Sequence, residues 1–136
     1  MREGIETFEE RTKQFAIQAI KLCGRLEEVR GLRQLSWQLA DSSGSVAANH
    51  RAMRRARSDR EFAAKLQIVN EEIDESVLWL EIAEAVLENA DARISELHRE
   101  GLELRSMFAA ARKTTRRRLR GKTSNKQNPP RPDAAL

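Results

Sequence analysis

No proline stands between residue 1 and residue 128, and this absence makes long α-helices the structure the chain forms most readily. Proline removes a backbone donor and clashes with the preceding turn, so a long proline-free stretch contains no helix breaker stronger than glycine. The three prolines, Pro129, Pro130 and Pro132, crowd the C-terminal end, and only six glycines are present. Ala, Leu, Glu and Arg are abundant and lose little rotamer freedom in a helix. Aromatic residues make up 4% of the chain and Tyr is absent, which gives a β-sandwich little to build a core from. Charged residues reach 34%, against roughly 25% in ordinary globular domains, and suit amphipathic helices.

Four apolar series recur at steps of three and four residues, the period of one helix face. The first is Ile5, Phe8, Thr12, Phe15, Ala19, Leu22 and Leu26. The second, Leu32, Leu35, Leu39, Ser42, Val46, Asn49 and Met53, passes through Ser-Ser-Gly-Ser at 42–45 without losing phase, so it reads as one continuous helix. Phe62, Leu66, Val69, Ile73, Ser76, Leu80, Ala83 and Leu87 form the third. Ser58 followed by Glu61 has the spacing of a capping box at its start. The fourth follows Asn89 and Asp91, both good N-cap types, and repeats Ile94, Leu97, Gly101, Leu104, Phe108 and Ala111. Gly101 lies inside that stripe and marks a candidate close helix contact. Short connections near 27–31, 56–58 and 88–91 join only antiparallel neighbours. The expected fold is all-α, an up-down-up-down four-helix bundle over residues 1–111, followed by a basic tail, 112–136, disordered beyond 122.

The net charge of +4 hides an asymmetry. Residues 112–136 carry nine Lys or Arg against Asp133, whereas residues 1–111 carry sixteen basic and twenty acidic side chains. Such a division assigns the tail a task separate from the fold. Arg112, Arg116 and Arg120 recur every four residues and would line one face of an extended fourth helix, flanked by Lys113 and Arg117, with Arg118 and Lys122 in the same basic segment. A second group, Arg51, Arg54, Arg55, Arg57 and Arg60, spans the turn between the second and third helices. In this topology both groups share one end of the bundle. Their open readings are contact with nucleic-acid phosphates, or a solubilising surface that could also dock an acidic partner. No aromatic residue follows Phe108, so base stacking is not available to the tail.

Some apolar residues fall outside the core stripes. Ile68, Trp79, Ile82 and Val86 on the third helix, and Ile17 and Ile20 on the first, are displaced from them. Trp37 lies nearly opposite the core stripe of the second helix, beside Ala40, Gly44 and Ala48. Either these are scattered surface residues, or Trp37, Gly44, Ile68, Trp79 and Ile82 mark a subunit interface.

Enzyme chemistry is not expected. Glu71, Glu72, Asp74 and Glu75 form a dense carboxylate group, but a di-iron bundle needs Glu-x-x-His on two helices. Ala47 and Ser95 stand three positions before His50 and His98, the only histidines. No phosphate-binding glycine loop or nucleophile elbow occurs. No metal or cofactor is expected, and His50 reads as a bundle-edge side chain. Cys23 is the only cysteine, which excludes an internal disulfide and suits a buried position. No apolar run suggests a signal peptide or a membrane span, so a cytoplasmic protein is expected.

Across the middle of the chain a spaced pattern is similar to a known family. It comprises Gln38, Leu39, Ser42, Ser45, Val46, Ala48, Asn49 and Arg51, then Ser58, Glu61, Phe62, Lys65, Leu66, Ile68, Glu72, Glu75, Trp79 and Leu80, with weaker agreement at Phe15, Ala16, Ile20 and Leu22. The pattern resembles the bacterial four-helix bundle proteins first recognised as products of intervening sequences in large-subunit ribosomal RNA genes, and covers roughly residues 11–110. The resemblance implies a ring-like homopentamer associated with RNA or ribonucleoprotein, or an accessory role to a partner such as a reverse transcriptase. Ala52 and Met53 stand where that family usually has Glu and Ala, and residues from 112 onward lie largely beyond its pattern.

Overall fold

The computed structural model describes residues 7–87 and 91–127. These form four helices, α1 (Phe8–Leu26), α2 (Arg33–Arg54), α3 (Asp59–Val86) and α4 (Ala92–Gln127), with no strand among the described residues. The chain packs in sequence order, α1 on α2, α2 on α3 and α3 on α4, and α1 closes the bundle against α4. Ile5, Asn89 and residues 128–136 of the expected tail lie outside the described residues.

Side-chain caps fix the starts of α1, α3 and α4. Ser58 accepts the Glu61 backbone N–H at 3.0 Å, as its spacing predicted. Thr7 accepts that of Glu10 at 3.1 Å in the same way, a start signal readable as Thr-x-x-Glu that the stripes alone did not reveal. Asp91 accepts the Arg93 N–H at 2.9 Å and opens α4. The α1–α2 connection turns at Gly31, whose φ of 91° lies in the left-handed region that glycine enters without steric cost. Through 42–45, α2 is continuous, and Ser42 and Ser43 turn their hydroxyls back onto the carbonyls of Leu39 and Ala40.

The four stripes meet in one core containing Phe15, Leu26, Leu39, Leu66, Ile73, Leu80, Leu104 and Phe108. Gly101 is buried, and a Cβ added there would sit 3.1 Å from Val77 Cγ2 and 3.3 Å from Phe15 Cε1. The missing side chain lets α4 approach α1 and α3 closely. Polar residues also enter the core. Ser42 and Ser76 hydrogen-bond each other at 2.7 Å, and the Cys23 thiol donates to the Ser36 carbonyl at 2.9 Å.

His50 departs from expectation. It is 1% exposed, packed against Phe8 and Phe108 with ring centroids 4.5 and 5.0 Å away. Thr12 Oγ1 lies 2.9 Å from both the Glu9 carbonyl and His50 Nδ1, within hydrogen-bond reach of each. Asn49, placed in the core stripe by spacing, instead turns its amide to Ser45. The interior face of α2 is wider than one stripe.

The boundary expected after Ala111 is also corrected. α4 continues without a break past Ala111 and ends at Gln127. The packed face continues as well, with Thr115 buried and Leu119 half-buried. In antiparallel register, Gly101 lies against Val77, Arg105 against Asp74, Phe108 against Asn70 and Arg118 against Asp59. Residues 112–122 therefore run alongside the first turns of α3 as part of the folded body. Along the other side, Phe8 at the described start of α1 meets Phe108, and α4 continues well past it.

Candidate nucleic-acid interface

The antiparallel register brings the two basic groups together. The α2–α3 turn carries Arg51, Arg54, Arg55, Arg57 and Arg60, and the end of α4 beside it carries Arg112, Lys113, Arg116, Arg117, Arg118, Arg120 and Lys122. Contact between the segments is direct. Asp59 pairs with Arg118 at 3.2 Å and also with Lys122, and the Arg118 guanidinium lies 5.9 Å from the Phe62 ring centroid. The contact with Lys122 holds the Asp59 carboxyl below its usual range, with Arg118 adding to the effect and desolvation opposing it.

Acidic side chains neutralise part of this end. Glu9 meets Arg51 at 3.6 Å and Arg54 at 3.3 Å, while Arg57 lies 3.9 Å from Glu61. Arg55, Arg60, Arg112, Lys113, Arg116, Arg117 and Arg120 form no ion pair with a described residue. These seven leave the end strongly positive. Of the candidate contact residues, Arg51, Arg54, Arg118 and Lys122 thus already have partners, whereas Arg55, Arg112, Lys113, Arg116, Arg117 and Arg120 are available to an external anion. Asp59 and Glu9 were not singled out in the sequence. Asp59 was visible only as an acid in the first turn after Ser58.

One side of α4 forms a groove of about 320 Å³ with α3, lined by Asn70, Ala109, Arg112, Lys113, Arg116 and Arg120. Asn70 is held in its wall by donating to the carbonyls of Leu66 and Phe108, at 3.0 and 3.3 Å. A larger cleft, about 480 Å³, lies on the α1–α4 seam away from the basic end. Its rim mixes Lys21 and Arg93 with Glu96 and Glu100, so it presents no single sign of charge to an anion.

The candidate interface residues are spread over α2 and α3. Trp37 is 54% exposed; its indole N–H donates to Glu27 at 2.8 Å and Arg33 lies over its ring. Gly44 is partly exposed, with open space where a side chain would stand. Ile68 is half-buried. Trp79 and Ile82 pack partly against the core, and Trp79 donates to Glu75. Of the displaced apolar residues, Ile20 and Val86 are exposed, as is Leu78, which the periodicity did not single out.

The carboxylates of α3 separate into distinct contacts, Glu71 accepting from Gln67 and Asp74 pairing with Arg105. Burial, reinforced by Glu75, Glu71 and Asp41, pushes the Glu72 carboxyl up. Among the described residues no cluster of three or more His, Cys, Asp or Glu could hold a metal ion, and no helix is long and apolar enough to cross a membrane.

No protein-family model matches the sequence, and no curated protein matches it. Among solved structures the chain is similar to a protein of unknown function from the S23 ribosomal protein family of Bacteroides thetaiotaomicron. The TM-score is 0.72 and the identity 22%, over 79% of this chain and 99% of that one. At that identity the likeness establishes the four-helix fold, and nearly the whole of the Bacteroides protein finds its counterpart within this chain.

Proposed function

We propose that the protein is a non-enzymatic, cytoplasmic homo-oligomer that holds RNA or a ribonucleoprotein electrostatically at its basic end. The observation that carries this reading is the meeting of residues 51–60 and 112–122, which leaves seven cations there without an ion-pair partner among the described residues. The S23 ribosomal protein family label of the structural neighbour agrees with a role near RNA. So does the sequence resemblance to intervening-sequence bundle proteins, which also suggests a pentamer. Several basic ends in one assembly raise the effective concentration of weak contacts without any base-specific bond.

The exposed Trp37, Ile20, Leu78 and Val86 favour a protein-facing surface, and with it a second reading. In that reading the molecule is an accessory module for another protein, such as a reverse transcriptase, and its charge serves solubility.

A salt titration of the wild-type chain with an unstructured 20-nucleotide RNA separates the two. Each phosphate contacted contributes about 0.7 to the slope of log K against log salt, so seven free cations allow a slope of up to about 5 per chain. A salt-insensitive complex, or no complex at low salt, overturns the RNA reading. Light scattering tests assembly, and a monomer removes the oligomeric part. Cutting the chain after Ala111 would also remove buried Thr115, so charge substitutions probe this end more cleanly.

A further inference from the structure

We infer that the groove between α3 and α4 seats successive phosphates of one nucleic-acid strand, with Arg112, Arg116 and Arg120 as the phosphate ligands and Lys113 beside them. This inference rests on the RNA reading above and specifies where and how the strand is held. Three observations single the groove out from the rest of the basic end.

The first is composition. Four of its six lining residues are cations, and none of the four forms an ion pair with a described residue. Arg118 and Lys122 on the same helix are instead held by Asp59. At 100° per residue Arg118 projects nearly opposite Arg120, so internal neutralisation falls on one side of α4 and the groove cations stay free.

The second is an unmet hydrogen bond. Arg112 Nε is buried and has no hydrogen-bond partner in the structure. A guanidinium offers Nε–H and a terminal N–H as a planar fork that matches two oxygens of a phosphate, which an ammonium cannot imitate. A phosphate in the groove can accept this N–H once the half-buried Arg112 side chain turns toward it.

The third is spacing. Positions four apart on a helix are separated by about 6 Å along its axis, comparable to the step between consecutive phosphates on an extended strand. The groove has no aromatic lining, so bases are left outside. The strand is held by its backbone, with little regard to sequence.

The test preserves charge and removes the fork. The full-length Arg112→Lys, Arg116→Lys, Arg120→Lys triple variant is compared with wild type for binding a fluorescein-labelled 20-nucleotide oligouridylate. A second triple, Arg55→Lys, Arg60→Lys, Arg117→Lys, alters the same end outside the groove. The groove triple should bind at least about tenfold more weakly, and the second triple no more than about threefold. Equal losses, or no loss in the groove triple, overturn the phosphate seat while leaving electrostatic RNA binding intact. Failure of wild type to bind overturns both. Should the Arg112 substitution disturb folding by circular dichroism, the Arg116→Lys, Arg120→Lys double variant at exposed positions decides by the same comparison. A polyglutamate peptide that displaces the RNA at equal charge concentration also refutes a phosphate-specific seat.

Discussion

Gly101→Ala sets two physical effects against each other at one atom. In a helix interior alanine is favoured over glycine by about 1 kcal/mol, because glycine has more backbone freedom to lose on folding. At Gly101 the new methyl would meet Val77 Cγ2 at 3.1 Å and Phe15 Cε1 at 3.3 Å. Both neighbours are themselves buried, so neither has a free direction in which to yield. Overpacking a tight core costs about 1–3 kcal/mol, which exceeds the propensity gain over most of that range. The expected net change is a loss of about 1 kcal/mol, or about 3–4 °C in melting temperature for a chain of this size. Gly44→Ala is the reference, since nothing lies within 4 Å of its added Cβ, and the propensity term should raise stability by up to about 1 kcal/mol there. Urea unfolding followed by circular dichroism, at one fixed protein concentration, measures both. If Gly101→Ala stabilises as much as Gly44→Ala, the close approach of α4 to Phe15 and Val77 is wrong.

Two further outcomes follow from buried titratable groups. Burial holds the His50 pKa below its ordinary value near 6.5, with Arg54 adding to this and Glu9 opposing it. Its contribution to stability is therefore full above pH 6.5 and declines as pH falls from there toward the lowered native pKa, because the unfolded chain takes the proton first. The urea midpoint should fall between pH 7.5 and 5.5, and His50→Asn should flatten that dependence; an unchanged pH dependence in the variant refutes it. Desolvation pushes the Cys23 thiol up to about 11, so a thiol reagent at pH 8 should label native protein far more slowly than urea-unfolded protein, and equal rates would contradict the buried site.

The stripes revealed the fold because burial in a bundle repeats with the helix period, and Phe15, Leu39, Ile73 and Leu104 each fall where that period places them. His50 was misread because imidazole sits between polar and apolar in character. Only the three-dimensional meeting of Phe8, Phe108 and Thr12 decides which side it takes. The end of the bundle at Ala111 was misplaced for a related reason. From residue 112 onward cations outnumber apolar residues, and Thr115 and Leu119 alone are too sparse to register as a stripe. Their packing depends on α3 being long enough to reach them. The basic groups were legible as charge, and topology placed them at one end. Which cations remain free depends on Asp59 and Glu9, whose reach across the fold no local pattern encodes.

Helicity through residues 112–122 changes what binding at this end has to accomplish. From charge alone the segment should resist helix formation, since like charges four residues apart cost a few tenths of a kcal/mol per pair, and a polyanion would then both order and bind it. Here the fold supplies part of the ordering. Thr115 is buried, Asp59 takes Arg118 and Lys122, and the Arg118 contact with Phe62 is of a kind worth about 0.5–1 kcal/mol at an exposed site. These contacts are of the same size as the repulsion they oppose. They use Thr115, Arg118 and Lys122, and so hold the helix without using Arg112, Arg116 or Arg120. A strand arriving at the groove therefore meets cations already spaced by the helix, and little of its interaction energy is spent on ordering the backbone.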